Sequence, residues 1–225
     1  MAIRARDPDA LRSLRFADRV QAGRALAQAL VERGERCDCV LGIPRGGVPV
    51  AAEVARALHV SLDVVVAKKI GAPFQPEFAL GAVTAGGTEV LQVDALDDAP
   101  ADPAWLEDAA RRARAAAIEK ETRLRAGREP LDVRGRSVIL VDDGLATGAT
   151  ALACVRDLRA RGAARVTLAV PLGSREACAR LEREVDRLVC LARPPGFLAV
   201  GDHYGDFTQV SDAEAGALLR AAASA

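Results

Sequence analysis

Two adjacent carboxylates, Asp142 and Asp143, follow a short apolar run and precede a segment of small and hydroxylated residues. The whole stretch, residues 138–150, is Val-Ile-Leu-Val-Asp-Asp-Gly-Leu-Ala-Thr-Gly-Ala-Thr. Carboxylates at the end of a buried strand carry a desolvation cost unless a hydroxyl or a cation meets them. A ribose cis-diol offers one hydroxyl donor to each. The pattern therefore predicts a sugar-binding acidic pair at the carboxyl end of a strand.

The residues after the acids are suited to hold a phosphate. Their small side chains leave backbone N–H groups accessible where a helix is predicted to begin, and threonines add hydroxyls. Amides at a helix N-terminus bind phosphate dianions, helped by the helix dipole. The alternative is an ordinary strand–turn–helix in which the acids cap the helix. We predict a phosphate loop made of Ala146, Thr147, Gly148, Ala149 and Thr150, with Gly144 before it as a further residue of the binding site.

A second glycine loop follows an earlier apolar run, at residues 41–47, Leu-Gly-Ile-Pro-Arg-Gly-Gly. Loops at the carboxyl ends of parallel strands line the ligand crevice of open α/β sheets. Neighbouring strands lie about 4.8 Å apart. If these two strands are neighbours, their loops could grip opposite ends of one phosphorylated sugar. The alternative is a tight turn with a solvent-facing Arg45.

Elements that could position these loops alternate along the chain. The strands are near-continuous Val/Ile/Leu runs, typical of strands buried on both faces of a parallel sheet with crossover helices. The sequence therefore predicts an α/β fold, a parallel five-stranded sheet flanked by helices. We predict strands at 39–43, 62–67, 137–141, 165–171 and 188–191, and helices at 16–33, 48–58, 149–161 and 174–184, with a last one after the capping box Ser211-x-x-Glu214.

One stretch interrupts the alternation. Residues 79–93 predict a β-hairpin that turns at Gly86-Gly87. A long helix is predicted from Pro103 to about Ala126, with Asp102 as its cap. We expect one domain over 1–225, with a core at about 37–191, a hairpin and long-helix insertion at about 70–130, and a small C-terminal hood at about 192–225.

The composition excludes two classes of partner. The 225 residues contain 31 Lys+Arg and 31 Asp+Glu, whereas nucleic-acid-binding domains are usually basic. Every apolar run falls short of the roughly 18–20 residues that cross a bilayer, and the Arg- and Asp-rich N-terminus lacks the apolar core of a signal peptide. Five cysteines without Cys-x-x-Cys spacing favour buried thiols. We expect no nucleic-acid partner, no membrane partner and a cytoplasmic location.

The apolar run, paired acids and small-residue loop resemble the signature of the type I phosphoribosyltransferases, which use 5-phosphoribosyl 1-diphosphate (PRPP). The resemblance covers about residues 37–191, and the segment 69–83 is similar to a little-characterised bacterial group. It implies transfer of the 5-phosphoribosyl group from PRPP to a nitrogenous base, with release of diphosphate, and a role in nucleotide metabolism. The implied partners are PRPP and a small heterocyclic base, and a homodimer is allowed. The implied cofactor is Mg²⁺, held mainly by PRPP and water instead of by direct protein ligands.

The resemblance also implies roles for single residues. Asp142 and Asp143 would hold the ribose hydroxyls, and the phosphate loop would hold the 5-phosphate. The 41–47 loop would bind the diphosphate through Arg45, Gly46 and Gly47, with a cis peptide expected between Pro44 and Arg45. A mobile loop at 67–78 would close over PRPP, where Lys68 or Lys69 could neutralise the departing diphosphate. The implied catalytic residues are Arg45, Lys68, Lys69, Asp142 and Asp143.

The acceptor base is less well indicated. The 6-oxopurine enzymes of this family have an aspartate at the position of Ala146, so a hypoxanthine or guanine substrate is disfavoured. Phe197 and Tyr204, with Phe207, could stack on a base or could instead cover the sheet edge beside the N-terminal helix. His203 and Glu77 are candidate acid/base groups, although a loop histidine is more often simply exposed.

Two other functions remain open. A non-catalytic, PRPP-binding regulatory protein would retain the same pocket without turnover, whereas Arg45, Lys68 and Lys69 favour catalysis. A Mg²⁺-dependent phosphohydrolase could use the acidic pair. Such enzymes usually carry the nucleophilic aspartate after the first strand, where this chain has Gly42-Ile-Pro-Arg.

Overall fold

A five-stranded parallel sheet forms the centre of the protein, and its strands lie side by side in the order Ser61–Val64, Cys39–Gly42, Ser137–Val141, Arg165–Leu172 and Arg187–Ala192. The computed structural model describes residues 15–92, 96 and 101–223, apart from the side chains of residues 76, 77 and 223. Every residue of the first strand is buried, as expected for strands covered on both faces. The predicted α/β fold is therefore confirmed. Numbered in chain order, the strands of this sheet are β1 (Cys39–Gly42), β2 (Ser61–Val64), β6 (Ser137–Val141), β7 (Arg165–Leu172) and β8 (Arg187–Ala192).

Helices cover both faces of the sheet. On one face, Leu152 and Leu181 pack into one buried cluster, and on the other, Leu30, Val54 and Leu219 pack into a second. Among the described residues, no helix combines the length and the apolar character needed to cross a membrane. The flanking helices are α1 (Arg19–Glu32), α2 (Gly47–Leu58), α4 (Ala149–Ala160), α5 (Arg175–Leu181) and α6 (Asp212–Ala223).

The insertion forms a second, three-stranded antiparallel sheet backed by a long helix. Its strands are β3 (Ala67–Ala72), β4 (Gln75–Thr84) and β5 (Glu89–Leu91), and its helix is α3 (Pro103–Arg125). The predicted cap of α3 is confirmed, since the Asp102 carboxylate accepts hydrogen bonds from two backbone N–H groups. Ile70, Val83 and Ala110 form the small core between sheet and helix.

Two predictions in this region are wrong. The second strand ends at Val64, not at residue 67, and the segment expected to be a loop at 67–78 is the β3–β4 hairpin with its turn at 73–74. Lys68 and Lys69 therefore lie on a strand, opposite Val83 and Ala82. The Gly and Pro residues of this segment suggested a loop, but pairing with the ten-residue β4 satisfies the backbone groups.

The hairpin predicted at 79–93 is present between β4 and β5, with Gly87 at a φ of +94° in its turn. It begins earlier, at Gln75, and its predicted end at residue 93 lies outside the described residues.

The capping box of the last helix is confirmed, because Ser211 and Glu214 exchange side-chain-to-backbone hydrogen bonds. A single domain over 1–225 stays a prediction, and residues 1–14 lie outside the described part of the chain.

A buried ion pair fixes the C-terminal end of α3 to the central sheet. The Arg125 Nε donates to Asp63 Oδ1 at 3.0 Å, and its Nη2 donates to the Val64 carbonyl oxygen at 2.9 Å. Both charged side chains are almost fully enclosed, with exposed fractions of 7% and 2%. Removal of Arg125 would leave the buried Asp63 carboxylate without its countercharge, whereas Arg125 also pairs with Glu121 at 3.0 Å. The last turns of α3 are therefore held close to the carboxyl end of β2.

Candidate active site

Two glycine-bearing loops meet at one edge of the central sheet. Strands β1 and β6 are direct neighbours, with Gly42 opposite Val141. This adjacency is the condition under which both loops could bind one ligand. The β1–α2 loop (residues 43–46) and the β6–α4 loop (residues 142–148) therefore begin side by side. The backbone N–H of Ile43 donates to the Val141 carbonyl oxygen at 2.8 Å, which locks the start of one loop to the other.

Glycines allow this close approach. A Cβ atom on Gly47 would lie 2.7 Å from the Val141 carbonyl oxygen and 2.9 Å from Asp142 Cα. A Cβ atom on Gly46 would collide with the Asp143 carboxylate. Distances of this kind are closer than real Cβ contacts, so any larger residue would push the loops apart. The peptide bond between Pro44 and Arg45 is cis, as the resemblance implied.

The acidic pair lies directly against these glycines. Asp142 Oδ1 accepts a hydrogen bond from the backbone N–H of Asp143 at 2.9 Å. Burial, together with repulsion from Asp143, raises the pKa of Asp142 well above its ordinary value. Burial also raises the pKa of Asp143, although hydrogen bonding and charge from Arg19 oppose this shift. The two acids therefore form a closely coupled, partly enclosed anionic centre.

Arg19 supplies the countercharge of this centre, a role that the sequence did not reveal. It is the first residue of α1, and its Nε donates to Asp143 Oδ2 at 2.8 Å. Its Nη1 donates to the Thr208 carbonyl oxygen at 2.9 Å, and its guanidinium carbon lies 3.9 Å from the centre of the Phe207 ring. Arg19 thus ties the N-terminal helix, an acid of the pair and the hood together.

The β6–α4 loop leads into a helix N-terminus without a side-chain cap. Gly148 is the N-cap of α4, with a φ of +74°, and no side chain accepts a hydrogen bond there. The alternative in which the acids cap this helix is not observed. The first N–H groups of a helix lack intrahelical partners, so this end of α4 is suited to an anion.

Residues of helix α5 and its N-cap donate hydrogen bonds to the backbone of the β6–α4 loop. Ser174 caps α5 by accepting from the Ala177 N–H at 3.0 Å, and its hydroxyl donates to the Ala146 carbonyl oxygen at 2.8 Å. The Arg180 guanidinium donates to the Thr147 carbonyl oxygen. Neither Ser174 nor Arg180 was predicted as a site residue, because both act through tertiary contacts with backbone atoms.

Tyr204 and Phe197, the two aromatic residues predicted to contact the base, differ in their exposure to solvent. Tyr204 is 1% exposed, its hydroxyl donates to the Asp143 carbonyl oxygen at 2.7 Å, and its ring lies between Phe16 and Phe207. Burial raises the pKa of Tyr204 above its ordinary value. Phe197 is partly exposed, and its ring stacks on His203 at 5.4 Å. Tyr204 therefore covers the sheet edge beside α1, whereas Phe197 retains access to solvent.

The three predicted cationic site residues, Arg45, Lys68 and Lys69, do not share one environment. Arg45 Nη1 lies 3.8 Å from Asp212 Oδ1, at the start of α6, and lines a cavity together with Lys68. Lys69 is exposed and follows Lys68 on β3, where successive side chains point to opposite faces. The side chain of Glu77 lies outside the described residues.

The acidic pair supplies carboxylate oxygen atoms that could contact a metal ion. Within the described part of the chain, no group of three or more His, Cys, Asp or Glu residues could hold a metal ion. Asp142 and Asp143 provide hard oxygen atoms, which suit Mg²⁺ when most of its other ligands come from phosphate and water. The residues present therefore fit Mg²⁺ brought by a phosphorylated ligand.

Comparisons with known proteins complete this description. The sequence pattern of the phosphoribosyl transferase domain matches residues 15–194. A Mycobacterium tuberculosis (strain H37Rv) protein, provisionally named a phosphoribosyl transferase, is 46% identical over 204 residues, or 91% of this chain and 46% of that protein. The chain thus spans about half the length of the first curated relatives it matches.

Two further proteins match over most of both chains. The adenine phosphoribosyltransferase of Mycobacterium avium is 32% identical over 180 residues, which cover 78% of this chain and 79% of that enzyme. The crystal structure of TT1426 from Thermus thermophilus superposes with a TM-score of 0.77 at 47% identity, covering 92% of this chain and 98% of that one. The match at 15–194 includes Arg19, both loops and the acidic pair, and it ends before Tyr204.

Proposed function

The chain belongs to the phosphoribosyl transferase domain family, and from that premise we propose that it transfers the 5-phosphoribosyl group of PRPP to a nitrogenous base. The observation that carries this proposal is the contact between the β1–α2 loop and the acidic pair, with Gly46 against Asp143 and Gly47 against Asp142. One phosphorylated sugar could span both loops, because they lie at the carboxyl ends of neighbouring parallel strands.

In this proposal the chain binds PRPP at three points. The ribose 2′- and 3′-hydroxyls donate to Asp142 and Asp143, each of which has one oxygen atom already engaged within the protein. The 5-phosphate lies at the uncapped start of α4, where residues 144 and 146–150 supply N–H groups and hydroxyls. The diphosphate accepts from the N–H group of Gly46 and from the Arg45 guanidinium, whereas the N–H of Gly47 already donates to the Ile43 carbonyl oxygen at 3.0 Å.

The proposed reaction is a substitution at the anomeric carbon. A nitrogen atom of the base forms a bond to this carbon, the bond to the diphosphate oxygen breaks with its electron pair, and the base nitrogen loses its proton to solvent or to a nearby base. Positive charge develops on the ribose, where the acidic pair stabilises it. Arg45 and Lys68, with Lys69 as a further candidate, offset the charge of the departing diphosphate.

We propose that Mg²⁺ enters with PRPP and is held chiefly by diphosphate and ribose oxygens and by water. When bound, it would neutralise part of the phosphate charge. Asp142 and Asp143 would contribute oxygen atoms or orient the hydroxyls around it. Magnesium dependence, a place in nucleotide metabolism, a cytoplasmic location and a homodimer stay predictions.

The acceptor is proposed to be a base that needs no aspartate at position 146. Ala146 has no group that could exchange a proton with a 6-oxopurine ring. The relationship to an adenine enzyme makes adenine the first base to test. Phe197 is the stronger candidate for stacking on this base, since Tyr204 would have to leave an enclosed position in order to do so.

Diphosphate release tests the proposal. The full chain is incubated with PRPP, Mg²⁺ and a panel of purine, pyrimidine and pyridine bases, and PRPP affinity is measured by calorimetry. Asp143→Asn should weaken PRPP binding roughly tenfold or more, because it removes a charge-assisted hydrogen bond. Glu129→Gln is the matched control, since it removes an exposed carboxylate that belongs to neither loop. Unchanged binding in Asp143→Asn would contradict the site assignment.

The same assay tests a second candidate, a non-catalytic PRPP-binding regulatory protein. The observation that favours it is the existing ion pair between Arg19 and Asp143, which already satisfies an acid of the pair. Tight PRPP binding with no diphosphate release on any base would support regulation. Release with a single base would support transfer.

A further inference from the structure

Two cysteines, Cys178 and Cys190, contact each other between helix α5 and strand β8. Cys178 lies in the middle of α5, and Cys190 lies on β8, an edge strand of the central sheet. Both are free thiols, and their side chains are hydrogen-bonded to each other. The proposed transfer reaction uses neither of them. The pair is therefore a candidate for chemistry of its own.

The backbone around Gly173 fixes the positions of both sulfur atoms. Leu172 of β7 pairs with Ala192 of β8, and the Gly173 N–H donates to the Ala192 carbonyl oxygen at 3.1 Å. Cys190 Sγ donates to the same carbonyl oxygen at 3.0 Å. A Cβ atom on Gly173 would lie 2.9 Å from Cys178 Sγ, so glycine leaves the room that this sulfur occupies. The two thiols therefore flank one backbone contact between β7 and β8.

The two thiols differ in their tendency to ionise. The hydrogen bond with Cys190 and the positive charge of Arg193 lower the pKa of Cys178, although burial opposes them. The hydrogen bond with Cys178, together with burial, raises the pKa of Cys190. The thiolate is the reactive form of cysteine in oxidation and in disulfide exchange. Cys178 is therefore the nucleophile of the pair, and Cys190 is the neutral partner beside it.

The exposure of the pair limits which oxidants can react with it. The Cys178 side chain is fully buried, whereas Cys190 is partly exposed at the edge of the sheet. A reagent must therefore approach from the Cys190 side and must be small. Hydrogen peroxide meets this condition, whereas a bulky disulfide does not.

We propose that Cys178 and Cys190 form a reversible redox site that a peroxide converts to a disulfide. The Cys178 thiolate attacks one peroxide oxygen, the O–O bond breaks, and a sulfenic acid and hydroxide form. The Cys190 sulfur then attacks the sulfenic sulfur and expels a second hydroxide. The two thiol protons convert both hydroxides to water, and two electrons pass from the sulfurs to the peroxide. A dithiol reductant reverses the reaction by thiol–disulfide exchange.

Helix α5 connects this redox site with the β6–α4 loop. Ser174 and Arg180 donate to carbonyl oxygens of that loop, and a Cβ atom on Gly148 would lie 2.8 Å from Leu181 Cδ1. Cys178 lies between these contacts on the same seven-residue helix. A covalent bond brings two sulfurs closer than a hydrogen bond does, so oxidation should draw α5 toward β8 and loosen its hold on the loop. Because the loop is proposed to hold the 5-phosphate, this consequence rests on the proposed function.

Peptide mass spectrometry of the full chain tests the redox site. Hydrogen peroxide should link the tryptic peptides that contain Cys178 and Cys190, which trypsin separates because three arginines lie between them. Dithiothreitol should release the two peptides. Because this measurement uses the wild-type chain, it does not depend on whether a variant folds. Peptides that stay unlinked, or a link from Cys178 to a different cysteine, would overturn the proposal.

PRPP affinity measures the consequence for the loop. Calorimetry should show roughly tenfold weaker PRPP binding by the oxidised wild-type chain, since two hydrogen bonds to the loop are weakened, and dithiothreitol should restore the affinity. Cys190→Ser should abolish this response to peroxide. Cys37→Ser is the matched control, because it removes another partly exposed thiol and should keep the response.

The two measurements fail separately. Equal PRPP affinity of the reduced and the disulfide-linked wild-type chain would refute the coupling between α5 and the loop. If the reduced chain fails to bind PRPP while peroxide still links Cys178 to Cys190, the proposed function fails and the redox site stands.

Discussion

Arg19 and Asp143 are 124 residues apart in the sequence, and their side chains form a hydrogen-bonded ion pair of 2.8 Å. The pair is largely enclosed, with exposed fractions of 10% and 14%. Arg19 is the first residue of α1 and also contacts Thr208 and Phe207, so the ion pair links the start of α1, the carboxyl end of β6 and the C-terminal segment of the chain. The electrostatics of the candidate site therefore depend on a residue outside both loops.

Arg19→Ala should destabilise the protein and change the acidic pair. The loss of a hydrogen bond to a partly buried charge costs about 1.5–3 kcal/mol. Without the guanidinium, the pKa of Asp143 should rise further, because the two largest effects that oppose burial, the hydrogen bond and the charge of Arg19, are removed. Urea unfolding measures the first effect. Arg24→Ala is the control, since Arg24 is 71% exposed, and it should change the free energy of unfolding by about 0.5 kcal/mol or less. Equal losses in both variants would contradict the role of Arg19.

Asp142→Asn should make stability less dependent on pH. The folded-state pKa of Asp142 is raised above its ordinary value of 3.8, so the folded protein binds more protons than the unfolded chain between the two values. Stability attributable to this group is present below pH 3.8 and is lost as the pH rises through the folded-state pKa. At neutral pH the variant should be at least as stable as wild type while losing PRPP affinity. Urea unfolding over a pH series measures this, and an unchanged slope would contradict it.

Gly47→Ala should disrupt the site without unfolding the protein. Its Cβ would lie 2.7 Å from the Val141 carbonyl oxygen, so the two loops must separate. We expect PRPP affinity to fall roughly tenfold or more, as measured by calorimetry. Gly216→Ala is the control, because its Cβ would meet the end of the flexible Arg220 side chain at 3.3 Å. Alanine in that helix should be neutral or stabilising by up to about 1 kcal/mol. Normal PRPP binding in Gly47→Ala would refute the close contact.

Tyr204→Phe and Phe197→Ala should separate packing from base binding. Loss of the hydroxyl that donates to the Asp143 carbonyl oxygen should cost about 0.5–1.5 kcal/mol of stability. The KM for the base should stay unchanged in Tyr204→Phe. Phe197→Ala should raise the KM for the base with little effect on unfolding, because Phe197 is partly exposed. The reverse pattern, with the base KM changed only in Tyr204→Phe, would favour Tyr204 as the stacking residue.

The sequence alone determined the parts of the protein that depend on contiguous residues. A continuous apolar run predicted strand β6. The adjacent acids and the small residues after it predicted a ligand-binding site at the carboxyl end of that strand. Both predictions follow from burial and periodicity. The same reasoning was wrong for residues 67–78. There, Gly and Pro suggested a loop, whereas β3 pairs with β4, the next strand along the chain, and the segment forms part of a hairpin.

Tertiary structure decided which distant residues complete the site. The sequence predicts a helix over 16–33, but nothing near Arg19 indicates that it reaches Asp143. Nothing in α3 indicates that Lys120 lines a cavity together with Arg45 and Lys68. Periodicity and spacing describe local conformation, because they reflect the geometry of one helix or strand. Contacts between residues far apart depend on strand order and on the packing of helices over the sheet. Countercharges and cavity walls therefore become visible only in the folded chain.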